Sequence, residues 1–184
     1  SSTAVAIIAQ GHTNFVKYSL DDEVLFEKGI ESNASVDKGV EMSLREIWDF
    51  CNNVEIEKIA FLKAGAEMNK EISEAGLKSE YGLQIGKTLK TNVGQGILAN
   101  DFMTKALIAA TSASDARMDG CPKPVMTNSG SGNQGITVYL PVVVAAKEFN
   151  ATDEQLIRAL AMSNLVSAHI HYYMGHLSAL CGIM

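Results

Sequence analysis

Met126-Thr127-Asn128-Ser129-Gly130-Ser131-Gly132-Asn133-Gln134-Gly135 is the stretch on which the fold turns. It contains Gly130-x-Gly132-x-x-Gly135, the spacing of a dinucleotide-binding loop, and that reading requires a buried strand before it within a βαβ unit. Cys121-Pro122-Lys123-Pro124, just upstream, leaves almost no room for such a strand. Asp153 and Glu154, near the expected acidic position, are already placed as first-turn residues of a later helix. A doubly wound sheet holding a dinucleotide is therefore set aside. What remains is a polar loop leading into a helix. Its glycines let successive backbone N–H groups converge on an anion, and the helix start adds partial positive charge. A solvent-facing turn is the competing reading, since Gly and Ser mark turns everywhere.

Working outward, the rest of the chain reads as mostly helical α+β. Thr3–Ala9, Phe15–Tyr18 and Glu23–Phe26 are short apolar, partly alternating runs broken by Gly11-His12-Thr13-Asn14 and Asp21-Asp22, which predicts a small antiparallel sheet. Ser43-Leu44-Arg45-Glu46 has capping-box spacing and predicts a helix to about Asn52. Ile56, Ile59, Leu62, Met68, Ile72 and Ala75 keep near-helical spacing and predict a second helix to about Gly76. Asn100–Met118 predicts a third, largely buried. Pro141 is expected in the first turn of the next, where its missing N–H costs nothing. Thr152-Asp153-Glu154-Gln155 is a second capping box, opening a long helix toward Tyr173. The expectation is five or six helices after one small sheet: residues 1–30 a β region, 31–42 a joint, and 43–184 a helical domain.

Composition sets the class of partner. The 184 residues are 47% hydrophobic and 20% charged, as in a globular domain, and the net charge of −6 offers no basic footprint for nucleic acid or an anionic membrane. No Lys, Arg, Asp or Glu follows Arg158, but Asn164, three histidines and several serines in that run favour a buried helix over a membrane span. Cys51, Cys121 and Cys181, odd in number and widely spaced, suit a reducing compartment, hence the cytoplasm. The start without Met and the apolar finish at Met184 suggest a piece of a longer polypeptide.

Candidate chemical residues are few. His169 and His171 lie two apart, so on a helix they point about 200° from each other and cannot share one ion. Neither C-x-x-C nor H-E-x-x-H occurs. His169 reads as a packed core histidine, while His171 is divided between that role and a polar group turned into a site. Cys51 reads as a small buried hydrophobe and Cys121 as structural. Cys181, ending the uncharged region, could serve as a soft metal ligand. His12, Thr13 and Asn14 form a second polar group, either at a site or in a capped turn.

Gly11-His12-Thr13-Asn14, Tyr81-Gly82-Leu83-Gln84-Ile85-Gly86, Ala116-Arg117-Met118, Pro124 to Ile136, Leu140-Pro141-Val142 and Leu177-Ser178-Ala179-Leu180-Cys181-Gly182 together resemble the L-cysteine desulfidase family. That family is related to the α-domain of iron–sulfur L-serine dehydratases. The resemblance implies a [4Fe–4S] lyase that eliminates the β-substituent of a small L-amino acid, taking L-cysteine to pyruvate, ammonia and sulfide. It implies that Cys181 matches the first cluster cysteine, the other ligands falling in segments downstream of this chain. The family's N-terminal Gly-Cys-Thr-Glu-Pro segment, with a cysteine implicated in catalysis, is absent upstream, and neither Cys51 nor Cys121 sits in a matching motif. It further implies that Ser129, Gly130, Ser131, Gly132, Asn133, Gln134 and Gly135 hold the substrate, with His12, Thr13 and Asn14 alongside. His171 is the candidate base, where relatives often carry Lys or His.

The 184 residues alone are accordingly expected to be inert and to hold no intact cluster. Cysteine or serine as substrate depends on pocket shape. The rival readings are an L-serine dehydratase, a non-enzymatic small-molecule or anion-binding module, and a structural helical domain that mediates oligomerisation. A homo-oligomer is compatible with the composition.

Overall fold

Ser43 accepts from the Glu46 amide, and the Glu46 carboxylate accepts from the Ser43 amide at 2.7 Å, so the expected capping box starts α1, Leu44–Asn53. Thr152 and Gln155 form the same reciprocal pair at the start of α7, Asp153–Met174. Between them lie α2 Ile56–Ile59, α3 Leu62–Lys78, α4 Ile85–Gly94, α5 Phe102–Met118 and α6 Gly132–Glu148. The computed structural model describes residues 2–9, 14–29 and 41–174. They comprise six helices of ten residues or more, the single turn α2, and a three-stranded antiparallel sheet in the order β1 (Ala4–Ile8), β2 (Phe15–Leu20), β3 (Glu23–Glu27). The expected mostly helical α+β fold is the one found.

These residues fall into two compact units: the sheet region to Glu41 with the end of α7 from His171, and Met42–Ile170. In the first unit, Asp21 and Asp22 both take positive φ, as a tight hairpin of right-handed twist demands. The Asp21 carboxylate accepts from the Thr3 amide and the Ser2 hydroxyl, bonds that hold its pKa below the ordinary value. Asn14 closes the β1–β2 connection by donating to the Ala9 carbonyl at 2.7 Å. Tyr18 and Phe26 stack across β2 and β3 with centroids 5.2 Å apart.

The second unit has two apolar clusters. Ile47, Cys51, Leu62, Ala66, Tyr139 and Leu160 belong to one, and Ile72, Ala113, Ala116, Ile136 and Leu140 to the other. Helices α3 and α6 supply residues to both, so they run between the cores and fix where α6 begins. Helix α5 packs against α3, α4 and α6. Gly76 on α3 and Gly86 on α4 face it at Ser112, where an added Cβ would lie 1.9 Å from the Ser112 carbonyl oxygen and 2.5 Å from its Cβ respectively. The helices approach closely only because both positions lack a side chain.

Three expectations are corrected, and one helix is added. The helix over 56–76 is two pieces, broken at Ala60 and Phe61, where Lys63 and Ala64 donate three residues back to the Ala60 and Phe61 carbonyls. The three-residue spacing of Ile56, Ile59 and Leu62 suits that tighter turn better than a continuous 3.6-residue helix. Helix α4 was not anticipated; Ile85, Leu89 and Val93 recur four apart along it, yet Gly86 is its one buried residue. Helix α5 buries its Ala and Ser side but leaves Met103, Leu107 and Met118 exposed. Pro141 is not in a first turn but inside α6, nine residues on from Gly132. Its ring removes the donor for the Thr137 carbonyl, and the Ser163 hydroxyl of α7 donates to the neighbouring Val138 carbonyl at 2.8 Å. Residues 30–40, most of the expected joint, lie outside the described residues.

Candidate functional site

Helix α6 starts inside the glycine-rich stretch, so the first half of that stretch is a turn and the second half a helix end. Asn128 and Ser131 exchange backbone bonds of 2.9 and 3.1 Å around Ser129 (φ 48°) and Gly130 (φ 81°). Both central residues are left-handed, which defines a type I′ turn and gives Gly130 its reason. Ser131 then caps α6, its hydroxyl accepting from the Gln134 amide at 3.3 Å. The first-turn amides of Gly132 and Asn133 face off the helix end, where an α-helix has no internal acceptor to give them.

The same end carries a cation. The Arg117 guanidinium lies against Gly132 so closely that a Cβ there would fall 2.2 Å from its Nε, and its Nη1 donates to Asn133 Oδ1 at 3.2 Å. Among the described residues no carboxylate pairs with Arg117, and α6 has no acidic residue in its first turn. A positive side chain at the positive end of a helix is electrostatically unfavourable until an anion joins it. The glycines that flank it act by absence. At Gly132 that absence admits Arg117, and at Gly135 a Cβ would come within 1.9 Å of the Met126 carbonyl oxygen.

Behind the turn lies a buried amide network. Asn69, fully buried on α3, donates to the Met126 carbonyl and accepts from the Met126 amide at 2.8 Å, tying the strand-like approach to α3. Gln134 Nε2 donates to Ser167 Oγ at 2.6 Å, Ser167 donates to Asn128 Oδ1 at 2.8 Å, and Asn128 Nδ2 donates to Asn164 Oδ1 at 3.0 Å. Ser129 Oγ also donates to Asn128 Oδ1, at 3.0 Å. Burial pushes the neighbouring Tyr139 phenol above its ordinary pKa, with a hydrogen bond to Asn164 pulling the other way.

The expected site residues are thus brought together in the loop but point differently. Gly130, Ser131, Gly132 and Asn133 shape the start of α6, where Gly132 is buried against Arg117, whereas Gln134 points into the interior and Gly135 packs on backbone. Asn14 lies in the sheet unit. His12, Thr13 and Cys181 lie outside the described residues. His169 and His171 are both half-buried on α7, and His171 falls with the sheet unit. Arg117, Asn164 and Ser167 were not singled out from the sequence. Asn164 and Ser167 did carry a signal, as polar residues three apart in the uncharged part of α7 after Arg158.

Two further motifs are explained by packing. In Tyr81 to Gly86, Gln84 caps α4 in a left-handed conformation without a side-chain bond, and the Asp115 carboxylate of α5 accepts from the Gly86 amide at 3.1 Å instead. The Gly82 amide donates to Asp119 at 3.1 Å. The neighbouring Cys121 side chain raises the Tyr81 phenol's pKa above its ordinary value.

The family model for the serine dehydratase alpha chain matches residues 19–184, and the chain belongs to that family. Among curated relatives, a UPF0597 protein of Actinobacillus pleuropneumoniae is 44% identical over 178 residues, covering 96% of this chain and 41% of the relative. Another, from Phocaeicola vulgatus, is 44% identical over 182 residues, covering 98% and 42%. A third, from Clostridium perfringens, is 39% identical over 183 residues, covering 99% and 43%. The chain thus spans about two fifths of the length of these relatives. No solved structure matches.

Iron–sulfur enzymes occur in this family, so the residues present were tested against a cluster. Among the described residues no three His, Cys, Asp or Glu side chains gather to hold a metal. The thiol of Cys51 lies in an apolar cluster, where burial raises its pKa against the pull of Arg158 and so disfavours the thiolate a metal needs. The described residues therefore do not by themselves fit the group. No helix among them is long and apolar enough to cross a membrane.

Proposed function

We propose that this chain is the carboxylate-holding part of a lyase that performs β-elimination on a small L-amino acid, taking L-cysteine to pyruvate, ammonia and sulfide. The observation that carries the reading is Arg117 lying against Gly132 at the start of α6 with no carboxylate partner among the described residues. A substrate carboxylate there would meet a guanidinium and two backbone amides, compensating both the cation and the helix end. Holding it orients the α-carbon. Loss of the α-proton and departure of the β-substituent, HS⁻ from cysteine, then leave aminoacrylate, which water converts to pyruvate and ammonium.

His171 is the candidate for the base, and His12, Thr13 and Asn14 are candidates for further contacts. In the complete polypeptide, Cys181 would be one thiolate of a [4Fe–4S] cluster whose chemistry is Lewis-acid assistance to the leaving group. The two cysteines among the described residues are free, which supports a reducing compartment such as the cytoplasm.

L-serine, losing water in place of sulfide, is the alternative substrate. A non-catalytic anion-binding module would use the same cradle without turnover. The test is Arg117→Ala and Asn133→Ala in the complete polypeptide. The expected result is a fall in kcat/KM of about 100-fold for the first and about 10-fold for the second, matching loss of a charged and a neutral hydrogen bond. Wild-type kcat/KM in both would overturn the cradle.

A further inference from the structure

We infer that Asn164 and Ser167 of α7 are positioning residues, which hold the Asn128-Ser129-Gly130-Ser131 turn in its anion-receiving shape. The inference rests on the proposed cradle and deepens it. Ser129 is not glycine, yet it sits at φ 48°. A non-glycine residue in the left-handed region costs free energy and persists only where its surroundings over-determine it. The surroundings here are one amide, Asn128, buried and bonded on every side. Its Oδ1 accepts from Ser167 Oγ and Ser129 Oγ, and its Nδ2 donates to Asn164 Oδ1 at 3.0 Å and to the Asn164 carbonyl at 3.2 Å.

The donors run in one direction. Gln134 donates to Ser167, Ser167 to Asn128, Asn128 to Asn164, and Asn164 Nδ2 to the Leu160 carbonyl at 2.9 Å. Asn164 offers only acceptor oxygens to the Asn128 amide, so that amide cannot flip without losing both bonds to Asn164. Asn128 and Gln134 stand on either side of the Ser131 cap. Both are therefore referenced to the same turn of α7, and the first-turn amides of Gly132 and Asn133 inherit that reference. Ser167 is buried and bonds Gln134 and Asn128, and Asn164 bonds Asn128. They act through Asn128.

The experiment compares Ser167→Ala, Ser167→Thr and Asn164→Ala with wild type in the complete polypeptide, measuring KM and kcat for L-cysteine and L-serine. Ser167→Ala is expected to raise KM about ten-fold with a smaller change in kcat, because the turn is loosened while the reacting groups are untouched. Ser167→Thr, which keeps the hydroxyl, should return KM to within about threefold. Asn164→Ala removes the other anchor of Asn128 and should behave as Ser167→Ala does, which keeps the test alive if one variant does not fold. KM within twofold of wild type in both alanine variants would overturn the inference. So would a threonine variant as impaired as the alanine one, since that marks a packing role. Arg117→Ala run in parallel separates the two ideas. If Arg117→Ala is crippled and both α7 variants are normal, the cradle stands and the positioning role falls. If Arg117→Ala is normal, the cradle itself falls and the inference falls with it.

Discussion

Cys51 shows how a single residue's chemistry follows from where it packs. It is 3% exposed within an apolar cluster, burial raises its thiol pKa, and its carbonyl accepts from Arg158 Nη1 at 2.7 Å. In the folded protein Cys51 is therefore expected to resist alkylation at neutral pH and to react fully once denatured, read by peptide mass mapping; rapid native labelling would contradict its placement. The sequence made this role legible, because a cysteine on an apolar helix face packs as a small hydrophobe. Arg117 was not legible in the same way. It occurs in Ala116-Arg117-Met118 with no local signal of an anion site, and its meaning depends on the fold bringing the end of α5 to the start of α6. Gln134 shows a different limit: a polar residue in a polar loop reads as a ligand contact, while the fold also bonds its Nε2 to Ser167.

At the scale of elements, helix starts were the most legible feature, since a cap is written within four residues. The boxes at Ser43 and Thr152 both formed, and Asp101 caps α5 by accepting from the Thr104 amide at 2.8 Å. The break at Ala60 was not read because Ile56, Ile59 and Leu62 also fit a helical stripe, and α4 was not read because its one buried residue is a glycine; α4 is held by Gly86 against Ser112 and by Asp115 at its first turn. The caps also predict a pH dependence. Accepting backbone N–H bonds holds Glu46 and Asp101 below their ordinary pKa values, so each binds a proton more weakly folded than unfolded. Their contributions are thus complete above the ordinary carboxylate range and are lost as pH falls through the lowered folded values. Glu46→Gln should lower the melting temperature at neutral pH, with the gap to wild type closing in acid. A gap that widens in acid would contradict the sign.

At the scale of the molecule, the motifs that carry the family likeness are distributed along the chain, and the family match covers residues 19–184. That breadth is why the family was legible even though its finer chemistry rests on contacts between distant residues. Asn128 and Asn164, or Arg117 and Asn133, meet only once α5, α6 and α7 have packed. The packing logic is consistent across levels: glycines permit close helix approach, the turn and Ser131 set the start of α6, and the amide network fixes both to α7. The chain spans about two fifths of the length of its curated relatives, and the 184 residues alone are expected to release no pyruvate. The most direct measurement is sulfide and pyruvate formation from L-cysteine by the complete polypeptide, purified without oxygen. Equimolar sulfide and pyruvate, abolished or nearly so by Arg117→Ala, is the result predicted. L-cysteine bound but unchanged, with no pyruvate from L-serine either, would contradict the lyase and leave an anion-binding protein.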